Sequence, residues 1–490
     1  MEEVTAAAGA RHGAPRPQAV RGAVPQLSIV SDRRLVVASN RVDIDGDNQG
    51  SGGLAVAIRA ALENSGGIWF GWSGRVESAA AADQPETVVR GPLTYATVDL
   101  SQRDFDEYYL GHANQVLWPL FHLRAGLVDY SRQDFVGYMR VNRRFARSLA
   151  PMLLPRDLVW VHDYHLIPLG RELRRLDQSH TLGFFLHTPF PPAEMLRVLP
   201  DHRELVEALC AYDLIGFQTK SDAHGFRDYL LRWAGGEDLG NGTLRAFGRI
   251  VRTEVFPIGI DTAAVADLAA AAESSRHMHR LQHSLGDRTL MIGVDRLDYS
   301  KGLPARFAAF EQLLKNYPET RRRIVFMQIA PPSRSELPEY KEIRRALAAL
   351  AGNINGRYSE FDWTPLRYIN KSFGHRILTG FMRAARIGLV TPMRDGMNLV
   401  AKEYVASQPA SDPGVLVLSC FAGAAQELGE AVLVNPHDVE GMAEGIRQGL
   451  LMSLGERKER WTAMMATIER NDITRWRESF VAALAASGTP

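Results

Sequence analysis

Arg394-Asp395-Gly396-Met397-Asn398-Leu399-Val400-Ala401-Lys402-Glu403 is the stretch on which the reading of this chain turns. It follows Ile387-Gly388-Leu389-Val390, an apolar run of strand length. Residues 398–406 then read as a helix entered through a glycine. A strand, a glycine turn and a helix start make an anion site, because the first N–H groups of a helix have no partner inside it and point outward. Asp395 stands at the helix mouth and Glu403 two turns into the helix. One carboxylate can reach a sugar and the other a ribose, with a diphosphate between them, which is the order of groups in a sugar nucleotide. Acidic residues at a helix start are also ordinary caps, so the meaning of the stretch depends on its setting.

The setting is an alternation of short apolar runs with helical segments. Leu35–Ala38 reads as a strand and Leu54–Ala61 as a helix; Leu158–Val161, Leu182–Leu186 and Leu214–Phe217 read as further strands. The alternation restarts after Val255–Ile260, with strands at Thr289–Val294, Arg323–Gln328, Ile387–Val390 and Val415–Leu418. Strands separated by helices form parallel sheets. Two such series imply an α/β protein of two doubly wound, Rossmann-like domains facing a cleft, with ligands beyond the carboxyl ends of the strands. The expected division is a tail over 1–30, a first domain over 31–258, a second over 259–460, and a C-terminal helix within 461–490, carrying Trp461 and Trp476, that crosses back to the first. The boundary falls at Pro257-Ile258-Gly259-Ile260-Asp261, where proline and glycine interrupt the pattern. The tail is rich in Ala, Gly, Pro and Arg without an apolar core, which fits disorder rather than a secretory signal.

Composition excludes several classes. A net charge of +1 gives no electrostatic case for nucleic acid or an anionic membrane, so an anionic ligand must be held by local cations. No apolar run approaches the ~20 residues of a membrane span. Cys210 and Cys420, far apart in apolar surroundings, read as buried thiols of a protein in a reducing, cytoplasmic compartment, and supply no metal site.

Several strand ends carry polar groups that a core does not need. Ser39-Asn40-Arg41 closes the first strand, and Gly52-Gly53 opens the next helix, where paired glycines let backbone approach a phosphate. His162-Asp163-Tyr164-His165 and His187-Thr188-Pro189-Phe190-Pro191 follow two more strands. His162 and His165 have no second pair at zinc-site spacing, and imidazoles with carboxylates suit sugar hydroxyls. Arg296 and Lys301, beyond the first strand of the second domain, suit a diphosphate leaving group whose charge grows as the glycosidic bond breaks. Asp43-Ile44-Asp45-Gly46-Asp47 imitates a calcium loop or a phosphatase motif. Leu54 stands where the calcium loop needs its glutamate, and Ser39-Asn40-Arg41 separates the run from its strand, so it reads as a solvated loop.

Together with Trp69-Phe70-Gly71-Trp72, Leu117-Trp118-Pro119 and Phe421-Ala422-Gly423-Ala424, these motifs resemble, in order and over about residues 34–485, the trehalose-6-phosphate synthase family, retaining glucosyltransferases of the two-Rossmann-domain (GT-B) type. The resemblance implies a nucleotide diphosphate glucose donor (UDP- or ADP-glucose), a glucose 6-phosphate acceptor, no cofactor, no metal, and a homo-oligomer, tetramer or dimer. It implies that the acceptor phosphate meets Arg41, Tyr109 and Arg334. Trp118 lies beside the sugar, Asp163 holds hydroxyls, and Thr188 shapes the pocket. The donor glucose meets His187 and Asp395. The diphosphate meets Gly53, Arg296, Lys301 and the main-chain N–H groups of Asn398, Leu399 and Val400, and Gly52, Ala401 and Lys402 belong to the same donor-binding set. Glu403 takes the ribose, and the main chain near Phe373 takes the base. The implied catalytic set is Asp163, His187, Arg296, Lys301 and Asp395, with front-face attack in which the leaving phosphate accepts the acceptor's proton, unlike the two-carboxylate scheme of glycosidases. Because a fold does not fix a function, three other readings stay open: a glucosyltransferase with another phosphorylated polyol acceptor, a phosphorylase with a pyridoxal-phosphate lysine, and a non-catalytic sugar-phosphate sensor.

Overall fold

The computed structural model describes residues 33–44, 58–59, 62, 66–77, 83–334 and 336–488. The expected tail, Gly52, Gly53, Asp45-Gly46-Asp47 and most of the helix expected over 54–61 lie outside the described residues; Ile58, Arg59 and Leu62 are helical.

Two sheets form the molecule. The first is built from β1 (Leu35–Arg41), β2 (Gly67–Glu77), β3 (Glu86–Arg90), β4 (Leu93–Ser101), β5 (Leu158–His162), β6 (Thr181–Phe185), β7 (Leu214–Phe217), β8 (Glu237–Gly240), β9 (Thr243–Ala246) and β10 (Arg249–Val255). Its order is β3-β4-β2-β1-β5-β6-β7-β10-β9-β8. The centre is parallel, and only β3, β8 and β9 at the margins run antiparallel to their neighbours. The second comprises β11 (Thr289–Val294), β12 (Ile324–Ile329), β13 (Leu366–Ile369), β14 (Ile387–Val390), β15 (Val415–Ser419) and β16 (Val432–Val434), in the order β13-β12-β11-β14-β15-β16, parallel throughout. Central strands such as Leu158–His162 and Val415–Ser419 are buried along their whole length, as parallel strands covered by helices on both faces must be.

In each sheet the strand order reverses beside the first strand, between β1 and β5 and between β11 and β14. Ligand crevices open at such reversals, beyond the carboxyl ends. The chain leaves β1 at Arg41 and β5 at Asp163; it leaves β11 towards Arg296 and Lys301, and β14 towards Asp395. Topology alone therefore places most of the expected site residues at two crevice mouths.

The strands β2, β3, β4, β8, β9, β10, β13 and β16 have no counterpart in the sequence reading. In β2 the aromatics Trp69, Phe70 and Trp72 are interleaved with glycine, so no aliphatic run marks it. The segment Phe105–Leu117 is a π-helix, a winding that no hydrophobic period used in that reading would indicate.

The single final helix expected with both tryptophans is two helices. Leu454–Arg470 carries Trp461, whose indole donates to the Val405 carbonyl (2.9 Å) and belongs with the second sheet. After Asn471 the chain restarts at Asp472, which caps Ile473–Ser487 by accepting from Arg475 N–H (2.7 Å). That last helix lays Trp476, Phe480 and Leu484 on β5, β6 and β7 of the first sheet; Phe480 stacks on Trp160 with centroids 4.5 Å apart. Cys210 is buried, but Cys420 is exposed, against the reading of two buried thiols; it lies just past the end of β15, where the chain turns outward.

Candidate active site in the cleft

The carboxyl ends of the two sheets meet so closely at one point that only glycine fits. A Cβ on Gly396 would stand 1.9 Å from the His187 carbonyl oxygen. The turn 395–398 is tied to the loop after β15: Asp395 N–H donates to Phe421 O (3.2 Å), Gly423 N–H to Asp395 O (3.1 Å) and Ala424 N–H to Met397 O (2.8 Å). Asn398, expected as the first helical residue, instead precedes the helix Leu399–Ser407 in left-handed backbone, φ 76°. The helix start therefore presents the unpartnered N–H groups of Leu399 and Val400 at the turn, an anion-binding end.

Lys301 reaches this turn from β11. It ends the short helical turn Tyr299–Lys301, followed by Gly302 at φ 67°, whose Cβ would lie 2.4 Å from Thr391 O. Its Nζ is 2.5 Å from Asp395 Oδ2, which also accepts from Asn398 Nδ2 (3.0 Å). Burial pushes the Asp395 carboxyl up, but the Lys301 ammonium outweighs it and holds the group below the ordinary carboxylate value. An ammonium and an ionised carboxylate thus stand side by side at a helix N-terminus. Beneath them Arg306, 1% exposed, donates to Asp295 (2.5 Å), Gln328 (2.9 Å), Thr391 (2.9 Å) and Lys301 O (3.3 Å), fixing the loop's underside. Arg296 is exposed and has no ion-pair partner among the described residues.

Arg334 comes from the loop after β12 and is not the solvent-facing residue that a Pro-Pro-Ser-Arg loop suggests. Its side chain is 8% exposed. It donates to Asp298 Oδ2 (2.9 Å), to Tyr340 Oη (2.7 Å) and, across the cleft, to Tyr164 Oη (3.2 Å). Its guanidinium lies 4.0 Å from the centroid of Trp118, a cation–π contact. Asp298 is fully buried, and although burial raises it, Arg334 and the Ser300 N–H pull it down to about 2.

On the first-sheet side, Tyr109 is half-buried, stacked against Phe105 and His165. Arg41 is exposed, with its guanidinium against Gly74. Asp163 has φ 72°, a strained backbone for a non-glycine residue and one that clusters at functional sites. Burial raises its carboxyl to about 6, opposed by N–H groups of Tyr164, His187 and Thr188. The buried Thr188 hydroxyl has no hydrogen-bond partner among the described residues.

The tautomer of His187 follows from its neighbours. Gln218 Oε1 accepts from Ile258 N–H (3.0 Å), so its amide nitrogen faces His187 Nδ1 (3.4 Å). Nδ1 is then the acceptor, and Nε2–H donates to His162 Nδ1 (3.0 Å). Burial holds this imidazole neutral, at about 3.

The structure thus gathers Asp163, His187, Thr188, Trp118, Lys301, Arg334, Asp395 and the 398–400 turn at one cleft. Glu403 lies further along its helix, 3.6 Å from His375 Nε2, and Phe373 packs edge-on to Phe381. The Lys402 side chain turns away: Nζ donates to Ile258 O (2.8 Å) and pairs with Glu427 (2.7 Å), leaving only its main chain for a ligand. Sequence reasoning missed Asp298, Arg306, Tyr340 and His122. His122 donates from Nδ1 to Trp118 O (2.7 Å), and burial lowers it to about 4. Asp298 could have been found, since it lies between Arg296 and Lys301; Arg306 and Tyr340 sit in ordinary helical sequence and carry no such signal. Among the described residues no three His, Cys, Asp or Glu side chains gather as a metal site requires.

The profile of glycosyltransferase family 20 matches residues 26–486. The chain belongs to glycosyltransferase family 20. A trehalose-6-phosphate synthase of Sinorhizobium fredii (strain NBRC 101917 / NGR234) is 50% identical over 460 residues, 93% of this chain and 98% of the relative. A UDP-forming α,α-trehalose-phosphate synthase from Burkholderia xenovorans, in complex with glucose-6-phosphate, superposes with a TM-score of 0.89 at 48% identity, covering 92% of this chain and 99% of that one. An E. coli structure bound with UDP-2-fluoro glucose gives 0.88 at 45% identity, covering 92% and 99%. The family and the two parallel sheets agree: this chain is an enzyme of the trehalose-6-phosphate synthase type with the GT-B fold. The phosphorylase and sensor readings draw no support from these matches.

Proposed function

We propose that this glycosyltransferase moves the glucosyl group of a nucleoside diphosphate glucose to glucose 6-phosphate, yielding trehalose 6-phosphate and the nucleoside diphosphate. The observation that carries the reading is the meeting, at one cleft, of the Lys301–Asp395 pair beside a helix N-terminus with Arg334 buried against Trp118. The first arrangement suits a sugar joined to a diphosphate; the second suits a phosphorylated sugar. Asp395 accepts from donor hydroxyls while Lys301, Arg296 and the N–H groups of Asn398, Leu399 and Val400 take the diphosphate, with Ala401 and the Lys402 main chain behind them. These groups need no metal to neutralise the leaving charge. Glu403 takes the ribose and the main chain at Phe373 the base. On the other side Arg334, Arg41 and Tyr109 hold the acceptor phosphate, Asp163 its hydroxyls, and Trp118 and Thr188 the ring face. Gly52 and Gly53 complete the diphosphate cradle.

His187 meets the donor sugar as a neutral ring; to donate from Nε2 it must release His162. Retention follows from front-face attack, with the leaving phosphate taking the acceptor's proton. Residues 31–258 form the acceptor half and 259–460 the donor half; of the crossing segment expected over 461–490, the helix from Ile473 packs on the first sheet. The enzyme works in the cytoplasm as a dimer or tetramer.

The test is product analysis. Glucose 6-phosphate is incubated with UDP-, ADP- and GDP-glucose in turn, and a non-reducing phosphorylated disaccharide is expected with at least one donor. A folded protein that forms none with any of them overturns the reading.

A further inference from the structure

Asp298 lies between the two cations assigned to the leaving group, yet its carboxylate is spent on neither. Oδ2 accepts from Arg334 (2.9 Å) and from Tyr340 Oη (2.8 Å), while Oδ1 accepts from Ser300 N–H (2.9 Å) and, at longer range, from Trp118 Nε1 (3.4 Å). Four donors from four segments fill the acceptor capacity of a carboxylate. They belong to its own loop, the helix Pro338–Tyr358, the loop after β12 and the first domain. We infer that Asp298 is a positioning residue that couples the acceptor-phosphate arginine, Arg334, to the loop bearing Arg296 and Lys301. The inference rests on the substrate assignment proposed above.

The physical argument is one of rigidity. A fully buried carboxylate is tolerated only while its partners stay in place. Asp298 cannot follow one of them without straining the others. Seating a phosphate on Arg334 fixes the guanidinium, which fixes Asp298, which fixes the Tyr299–Lys301 turn through the Ser300 N–H. Lys301 is then held against Asp395 when the diphosphate arrives, and the order of arrival does not matter, because coupling between two sites is reciprocal. The bland alternative is that Asp298 merely caps the turn at Ser300.

Asp298→Asn separates the two. The amide can keep its oxygen on Ser300 N–H, preserving the cap, and then faces Arg334 and Tyr340 with an NH2 that cannot accept from them. Calorimetry would measure UDP binding with and without saturating glucose 6-phosphate. The wild type is expected to bind UDP at least about fivefold tighter with the sugar phosphate present. In Asp298→Asn, UDP alone binds close to the wild-type level and the enhancement falls towards unity. Tyr340→Phe removes one hydrogen bond to Oδ2 and the one that Tyr340 Oη accepts from Arg334, while keeping the ring that packs on Tyr299; it is expected to give an intermediate enhancement, and it decides the matter if Asp298→Asn fails to fold. No enhancement in the wild type, or undiminished enhancement in the folded variants, overturns the coupling. Failure of the wild type to make the phosphorylated disaccharide would instead strike the substrate assignment.

Discussion

Arg334 and Arg41, proposed to meet the same acceptor phosphate from the two walls of the cleft, are held by the protein in opposite ways. Arg334 is buried, hydrogen-bonded to Asp298, Tyr340 and Tyr164, and stacked on Trp118. Arg41 lies exposed at the end of β1 against Gly74. The same division separates Lys301, packed against Asp395 over the Arg306 network, from the exposed Arg296. Each of the two proposed anion sites thus pairs one cation fixed in advance with one left at the rim. The fixed member contributes orientation, because its rotamers are already chosen when the ligand binds; the rim member contributes mainly charge, which solvent and salt weaken. Substitutions at fixed positions should therefore cost turnover, and those at the rim chiefly affinity.

Lys301→Ala should break the comparison most severely. Loss of one preorganised charge-stabilising donor typically costs ~2–4 kcal/mol of transition-state stabilisation, here in turnover, with an unfolding midpoint showing that the protein remains folded. Turnover near that of the wild type would remove Lys301 from the leaving-group role.

Asp163 tests the first-domain wall through stability. Its folded-state carboxyl titrates at about 6 because burial raises it above the ordinary value of 3.8. The native state therefore holds a proton that the unfolded chain releases between those values. Stability falls as pH rises through that window, and the penalty is complete above about 6. Asp163→Asn should stabilise the protein by on the order of 2 kcal/mol at pH 7.5 and little at pH 4. Unfolding midpoints that differ equally from the wild type at both pH values would contradict the burial argument.

Arg41→Ala should be milder, about 1 kcal/mol in apparent affinity for glucose 6-phosphate, and more salt-sensitive than Arg334→Ala. A larger fall in kcat than in affinity would place Arg41 with the fixed cations. Exhaustive chelation should change least of all, if Lys301, Arg296 and the helix start at 398–400 neutralise the diphosphate as proposed. Abolition by chelator with rescue by magnesium would refute the metal-free account.

The fold was legible where short aliphatic runs alternate with helices, as at Leu158–Val161 and Val415–Leu418, because parallel strands buried on both faces must be apolar throughout. It was illegible where aromatics and glycines share a strand, as in β2, or where the backbone winds as a π-helix, as at Phe105–Leu117. In the site, Lys301 and Asp395 could be read because each follows a strand end. The burial of Arg334 could not. Its loop looks solvent-facing, and only the tertiary approach of Trp118 and Tyr164 from the other domain encloses it. Trp461 and Trp476 looked like one helix because the break at Asn471-Asp472 needs only a polar cap, not a proline or glycine.

The most direct test of the account is turnover on glucose 6-phosphate and on plain glucose, for the wild type and for Arg334→Ala. If Arg334 uses the acceptor's phosphate to align the attacking hydroxyl, plain glucose should be a very poor acceptor in kcat as well as KM. Arg334→Ala should then lower turnover on glucose 6-phosphate while leaving the slow reaction with glucose nearly unchanged, narrowing the preference. A preference for the phosphorylated sugar that survives intact in Arg334→Ala would contradict the account.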